Sequence, residues 1–167
     1  MKDNSIKKLV YAALFAALCC VATLVIMIPT PMGGYINAGD VPVLLAAYIL
    51  GPAWGSLAAG VGTALADIIS GYVPYAPATL VIKGLVAFTA AGLLKKFADK
   101  KPLPAALISG LVSETLMVAG YFVYEYFILG FGIASVANIP MNAIQAVFSA
   151  VAATALFVSI SKRIDKR

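Results

Sequence analysis

Ionisable side chains inside apolar stretches are the residues of this sequence that could do chemistry. Three carboxylates and one lysine interrupt long hydrophobic runs: Asp67, Lys83, Glu114 and Glu125. A charge left facing lipid costs about 2.5–3.5 kcal/mol on insertion scales, so such groups face the protein interior and find partners there. They are candidates for acid–base chemistry, for a proton or cation relay, or for binding a polar ligand.

Two rows of polar side chains accompany these charges on consecutive predicted helices. Glu114, Tyr121 and Glu125 are spaced by seven and four residues, which places them within roughly 40° of one another around a helix. The next predicted helix carries a similar row of amides: Asn138, Asn142 and Gln145. Aligned polar rows on neighbouring helices predict one shared polar cavity.

A glycine- and proline-rich loop at residues 29–42 supplies further candidates. Its three prolines and three glycines exclude a regular helix. Tyr35, Asn37 and Asp40 are its groups that can hydrogen-bond a ligand, and Tyr75 lies in a second proline-containing loop. We expect these residues to cover the cavity, although Asp40 alone could instead cap the next helix.

A structural interpretation of the polar residues stays open. Asp67 and Lys83 can form a buried ion pair, and amides often join helices in membranes. Metal ligation and histidine-based catalysis are not predicted, because the sequence has no histidine and its two cysteines, Cys19 and Cys20, are adjacent. We expect neither a metal site nor a cofactor.

The composition indicates a membrane protein. Of 167 residues, 62% are hydrophobic and only 11% are charged. The net charge of +5 does not indicate nucleic-acid binding, because eleven of the twelve basic residues flank apolar runs and only Lys83 interrupts one. By the positive-inside rule, both termini and the loop at residues 95–102 are cytoplasmic, and residues 29–42 are extracellular.

The predicted fold class is an all-α integral membrane protein with six transmembrane helices in one domain, residues 1–167. The helices are expected at about residues 7–28, 41–51, 54–71, 77–95, 103–129 and 137–161. The second is about 15 Å long, against a hydrocarbon core of about 30 Å. Four spans plus a re-entrant hairpin would satisfy the charge pattern equally well. We favour six, with the short helix shielded by the preceding loop.

Small residues recur at four-residue spacing on two of these segments. They are Ala12, Ala13, Ala16 and Ala17 on the first, and Gly55 and Ala59 on the third. Small side chains let helix backbones approach closely, which is how helices associate in lipid. Packing within the chain and docking of another membrane protein both explain this pattern.

With these motifs the chain resembles the substrate-binding S components of energy-coupling factor (ECF) vitamin transporters. The resemblance rests on the Ala-x-x-x-Ala spacing in residues 8–17, on Gly-Tyr-Ile-Asn-Ala-Gly-Asp followed by Val-Pro from residue 34, and on Leu-Gly-Pro-Ala-Trp-Gly from residue 50. Gly-x-Gly-x-Ala-Leu-Ala-Asp from residue 60 and Pro-Ala-Thr-Leu-Val-Ile-Lys-Gly from residue 77 extend it. The pattern is similar to the riboflavin and hydroxymethylpyrimidine branch.

The resemblance implies a subunit that captures a water-soluble vitamin or precursor under the extracellular loop. It would dock through its first three helices on a membrane coupling subunit driven by two cytoplasmic ATPases, and the chain itself has no Walker phosphate loop. Tyrosines, amides and an excess of carboxylates over lysine suit a flat, donor-bearing ring. Hydroxymethylpyrimidine or a pyridoxine-like ring is favoured, followed by riboflavin.

Two other functions remain open on the residues alone. In an autonomous secondary transporter or channel, the carboxylates and Lys83 would relay protons or cations. The chain is short for that task and shows no internal repeat. In an intramembrane enzyme, Asp67, Glu114 or Glu125 would act as acid and base, but no nucleophile with an adjacent base accompanies them, so we expect no catalytic residue.

Overall fold

The computed structural model describes residues 2–97 and 101–164 and is mostly helical. The long elements are α1 (Lys2–Val25), α2 (Asp40–Ile69), α3 (Ala76–Lys96), α4 (Pro102–Val123) and α5 (Ile139–Ile164). Within the described residues, five helices are long and apolar enough to cross a membrane. Lys100, Lys166 and Arg167, which contribute to the predicted charge pattern, lie outside the described residues.

Helix α2 contains both the second and the third predicted segments. Its backbone leaves helical geometry at Gly51, where φ is 78° and ψ is −176°, and Pro52 follows without an amide donor. A Cβ placed on Gly55 would lie 2.9 Å from the Ala46 carbonyl oxygen. Residues nine apart on a straight helix could not meet, so the chain folds back at Gly51 and its two limbs pack together.

The glycine- and proline-rich loop holds regular structure that the sequence did not predict. Strands β1 (Met27–Pro29) and β2 (Tyr35–Asn37) pair antiparallel, with Ile28 opposite Ile36. The first helix therefore ends at Val25 and not at residue 28, and the fold is not purely α. Gly33, with φ of 91°, provides the left-handed backbone conformation in the connecting turn.

Two short helical turns lie between α4 and α5. The predicted helix at residues 103–129 is α4 followed by a π-helical turn, Tyr124–Ile128, and a 3₁₀ turn, Gly132–Asn138, precedes α5. Another 3₁₀ turn, Val73–Tyr75, leads into α3. π turns interrupt the regular side-chain period of a helix and often occur at functional sites. Here the turn carries Glu125.

Small residues let the helices pack closely. A Cβ on Gly62 of α2 would lie 2.2 Å from the Ala16 carbonyl oxygen of α1, so this contact needs glycine. Ala12 is only 4% exposed and packs with Ala46 and Ala58.

The predicted docking residues consequently divide into two groups. Ala12, Gly55 and Ala59 are buried and Ala16 is half-buried, so these four fit the first of the two explanations, packing within the chain. Ala13 and Ala17, one position further along α1, are exposed.

Candidate functional site

A small polar cavity lies beneath the β-hairpin, where α2, α3, α4 and α5 converge. The volume open to the centre of a water molecule is about 20 Å³, which is room for about one water. Its wall is formed by the residues Thr23, Thr30, Gly34, Tyr35, Asn37, Thr63, Asp67, Tyr75, Thr79, Lys83, Tyr121, Glu125, Asn142 and Gln145. A ring-sized molecule fits only if the hairpin or the lining side chains move outward.

Tyr35 connects the hairpin to α2. Its hydroxyl donates a hydrogen bond to Asp67 Oδ1. Burial is the main factor that raises the pKa of the Tyr35 hydroxyl, and the hydrogen bond to Asp67 and the charge of Asp67 raise it further. The phenol therefore stays protonated and acts as the hydrogen-bond donor. Asp67 is 2% exposed, and its Oδ2 has no hydrogen-bond partner among the described residues.

Tyr75 and Glu125 form a second phenol–carboxylate pair. The Tyr75 hydroxyl donates to Glu125 Oε1 at 3.2 Å. Glu125 is likewise 2% exposed, and its Oε2 lacks a partner in the described part of the chain. The cavity thus contains two carboxylates, each with one oxygen bonded to a tyrosine and the other unpaired.

Tyrosine rings form an aromatic wall beside these carboxylates. Of these rings, Tyr35, Tyr75 and Tyr121 line the cavity and Tyr72 does not. The ring centroids of Tyr35 and Tyr72 are 4.6 Å apart, those of Tyr72 and Tyr75 6.3 Å, and those of Tyr75 and Tyr121 6.5 Å. The Tyr121 hydroxyl is fixed 2.9 Å from Thr79 Oγ1. Such a wall offers apolar faces to a flat ring and polar edges to its substituents.

Lys83 is neutralised by Asp40 and not by Asp67. Lys83 Nζ lies 2.5 Å from Asp40 Oδ1, and both side chains are almost fully buried. Gln145 Nε2 donates a hydrogen bond to Asp40 Oδ2, while Gln145 Oε1 accepts one from the backbone N–H of Asn37 at 2.6 Å. This chain of bonds joins the hairpin to the ion pair. The predicted ion pair between Asp67 and Lys83 is therefore wrong, because Asp67 is hydrogen-bonded to Tyr35. The alternative role of Asp40 as the cap of α2 is also wrong, because the N-cap residue is Gly39 and no described side chain caps the helix.

Nine of the twelve predicted binding residues line the cavity, and three lie behind its wall. Asp40 is held by Lys83 and Gln145. Asn138 Oδ1 accepts the Met32 amide at 3.1 Å and so fixes the turn of the hairpin. Glu114 is fully buried near Asp40, with both carboxylate oxygens unpaired among the described residues.

Sequence reasoning missed the four threonines of the wall and Gly34. The Thr63 hydroxyl donates a hydrogen bond to the Ala59 carbonyl of its own helix at 2.7 Å. A threonine can therefore lie in an apolar helix without a polar partner elsewhere, and its presence alone does not mark a binding site. A signal did exist, because Thr63 precedes Asp67 by four residues and Thr79 precedes Lys83 by four. Positions four apart share a helix face.

The part of the chain that the structure describes contains no cluster of three or more potential metal ligands from histidine, cysteine, aspartate or glutamate. The arrangement is suited to holding an uncharged or cationic molecule by hydrogen bonds and ring contacts.

A family model for the S component of the ECF-type riboflavin transporter matches residues 3–162. The chain belongs to this family. The motif resemblance to ECF S components is therefore confirmed, and the family is a substrate-binding component of membrane transporters.

Two curated relatives extend the comparison. An uncharacterized protein of Pyrococcus woesei is 36% identical over 145 residues, which cover 86% of this S component and 95% of the relative. The thiamine precursor transporter HmpT of Lactococcus lactis subsp. cremoris is 27% identical over 158 residues, which cover 93% and 89% of the two chains.

Solved structures of S components share the fold. The S component of a bacterial ECF transporter superposes with a TM-score of 0.72 at 19% identity, covering 96% of this chain and 98% of that one. The S component for biotin from an ECF-type ABC transporter gives a TM-score of 0.63 at 20% identity, with 93% of both chains covered. At these identities the likeness concerns the fold alone.

Proposed function

We propose that this S component captures a water-soluble vitamin or vitamin precursor in the cavity beneath the hairpin, for ATP-driven import by partner subunits. The observation that carries the proposal is the cavity itself. Buried polar groups with unpaired atoms are costly unless something else completes their hydrogen bonds. Among the described residues, four side chains with such atoms line this one space: Thr23, Thr30, Asp67 and Glu125. A ligand that enters this space would complete their hydrogen bonds.

The proposed binding residues are the nine predicted ones that line the cavity: Tyr35, Asn37, Asp67, Tyr75, Lys83, Tyr121, Glu125, Asn142 and Gln145. Asp40 and Asn138 act behind them by holding Lys83 and the hairpin. The tyrosine wall and the excess of carboxylates favour hydroxymethylpyrimidine or a pyridoxine-like ring, followed by riboflavin. The 27% identity to a thiamine precursor transporter supports this order.

The proposed topology has six spans, with both termini cytoplasmic and the hairpin outside. The reversal of α2 at Gly51 gives the two antiparallel limbs that this topology requires, since Tyr35 before α2 and Asp67 near its end are hydrogen-bonded to each other. Both ends of α2 therefore lie at the same end of the molecule. The basic residues near the predicted cytoplasmic ends, such as Lys95 and Lys96, agree with this orientation.

The proposed partners are a membrane coupling subunit and two cytoplasmic ATPases, and the chain is proposed to perform no catalysis and to need no cofactor. Because Ala12 and Ala16 are used for contact with α2, the neighbouring exposed face of α1 with Ala13 and Ala17 is the proposed docking surface.

Binding and transport by the purified chain test this function together. The chain in detergent is titrated calorimetrically with hydroxymethylpyrimidine, pyridoxine and riboflavin, and is then reconstituted in liposomes with and without the coupling subunit and ATPases. We expect one ring to bind, with uptake only when the partners and ATP are present. Uptake by the chain alone would contradict the proposal and favour an autonomous transporter.

A further inference from the structure

Asp67 and Glu125 share a bonding pattern that specifies what the missing partner must offer. In each carboxylate one oxygen accepts a tyrosine hydroxyl, and the other, Asp67 Oδ2 or Glu125 Oε2, has no donor among the described residues. Both side chains are 2% exposed and both line the same cavity. Each carboxylate thus has one oxygen without a donor at hydrogen-bond distance in the described part of the chain, although the side chains of Thr79 and Asn138 lie near Asp67 and Glu125 respectively.

The charge around the cavity points the same way. Among the described residues of the wall, Lys83 is the one basic residue. It forms an ion pair with Asp40, and Gln145 donates a hydrogen bond to the other oxygen of Asp40. Within the described part of the chain, neither of the two carboxylates on the wall, Asp67 and Glu125, forms a salt bridge with a lysine or arginine. A carboxylate can only accept hydrogen bonds, and it attracts a positive or donor-rich group.

Asn142 adds an adaptable group to the same cavity. It lines the cavity and is 7% exposed, and an amide can both donate and accept. A ring that has a nitrogen acceptor or a hydroxyl beside its donors would find a matching partner there.

We propose that Asp67 and Glu125 select a flat ring bearing an amino group, whose N–H donors complete the two unpaired carboxylate oxygens while its faces lie against the tyrosine wall. This inference rests on the proposed capture function and narrows its ligand class. Acceptor-rich rings and phosphorylated rings are disfavoured, since each would place oxygen lone pairs or negative charge against two carboxylates.

A matched pair of ligands tests the selection. The probes are hydroxymethylpyrimidine, which carries a ring amino group, and its analogue with a hydrogen atom in place of that group. Calorimetric affinities are measured for the wild type, Asp67→Asn and Glu125→Gln, with riboflavin as a third ligand. Thr115→Val is the control, because Thr115 is exposed on α4 and its hydroxyl bonds its own helix.

We expect the wild type and Thr115→Val to prefer the amino ring by about tenfold or more, as sites built around hydrogen bonds do. In Asp67→Asn and Glu125→Gln the preference falls toward one, because an amide carries no charge and presents N–H donors of its own. If one variant fails to fold, as judged by its melting transition, the other suffices for the comparison.

Two results overturn the inference but leave capture intact: equal affinity for both pyrimidines in the wild type, or a preference that neither acidic substitution changes. Binding of riboflavin but of neither pyrimidine has the same meaning, because riboflavin has no amino substituent on its ring. If none of the three ligands binds, the inference and the proposed capture of these rings fall together.

Discussion

At the scale of single residues, the free-energy cost of placing a charge in lipid allowed the site residues to be predicted from the sequence. Asp67, Glu125 and Lys83 were recognised because each would be unfavourable in lipid, and all three line the cavity. Which acid would pair with Lys83 could not be predicted. Asp40 follows the hairpin and reaches Lys83 only through the tertiary fold, whereas Asp67 is taken by Tyr35.

Asp40 and Glu114 predict opposite effects of the same chemical change on stability. Asp40→Asn breaks a buried pair and leaves Lys83 uncompensated, a loss of about 3–5 kcal/mol. Glu114→Gln removes a fully buried carboxylate that forms no salt bridge among the described residues and lies near the charge of Asp40, so we expect unchanged or higher stability. Thermal unfolding of both variants in one detergent, followed by circular dichroism, measures the difference. A drop for Glu114→Gln as large as that for Asp40→Asn would show that Glu114 contributes to neutralising Lys83.

At the scale of elements, helices were predictable and the hairpin was not. The helices predicted from apolar length and flanking charges at residues 77–95, 103–129 and 137–161 overlap α3, α4 and α5. The hairpin consists of two three-residue strands, which are too short to be stable alone. They are held by side chains from distant elements, such as Gln145 on the Asn37 amide and Asn138 on the Met32 amide. Those contacts leave no local pattern in residues 27–37.

Gly51 predicts a substitution whose cost is purely in the backbone. Its φ of 78° with ψ of −176° is a conformation essentially restricted to glycine, and a Cβ there would meet no atom within 4 Å. Gly51→Ala should therefore lower stability by about 1–3 kcal/mol through strain alone. Gly92→Ala is the control, since Gly92 also has open space but lies in α3 without positive φ, and alanine favours a helix. Equal melting temperatures for the two variants would contradict the bend at Gly51.

At the scale of the whole molecule, one face of α1 packs closely against α2, and the neighbouring face is the proposed docking surface. The small-residue spacing predicted that α1 would make a close contact, but the sequence could not show with what. Gly62 identifies the face of α1 that contacts α2, because the absence of a Cβ at this position leaves room for the Ala16 carbonyl. Periodicity fixes which residues share a face, and only the tertiary structure shows which face meets α2.

Ala13 therefore provides a test of docking that leaves the ligand site untouched. Ala13 is exposed on α1 and does not line the cavity, so Ala13→Leu should retain ligand affinity and lose uptake in liposomes that contain the coupling subunit and ATPases. Gly62→Ala is the contrasting variant, because its Cβ would clash with backbone at 2.2 Å and should lower stability as well as uptake. Full uptake by Ala13→Leu would move the docking surface elsewhere.

The most direct measurement of the central claim is the ligand affinity of Asn142→Ala compared with the wild type. Asn142 lines the cavity, and no hydrogen bond of its side chain is found within the described residues, so its removal should affect the ligand and not the fold. The account predicts an unchanged melting temperature without ligand and an affinity lower by about tenfold, in keeping with the loss of a buried hydrogen bond. An unaltered affinity for the captured ring would contradict the claim that this cavity is where it binds.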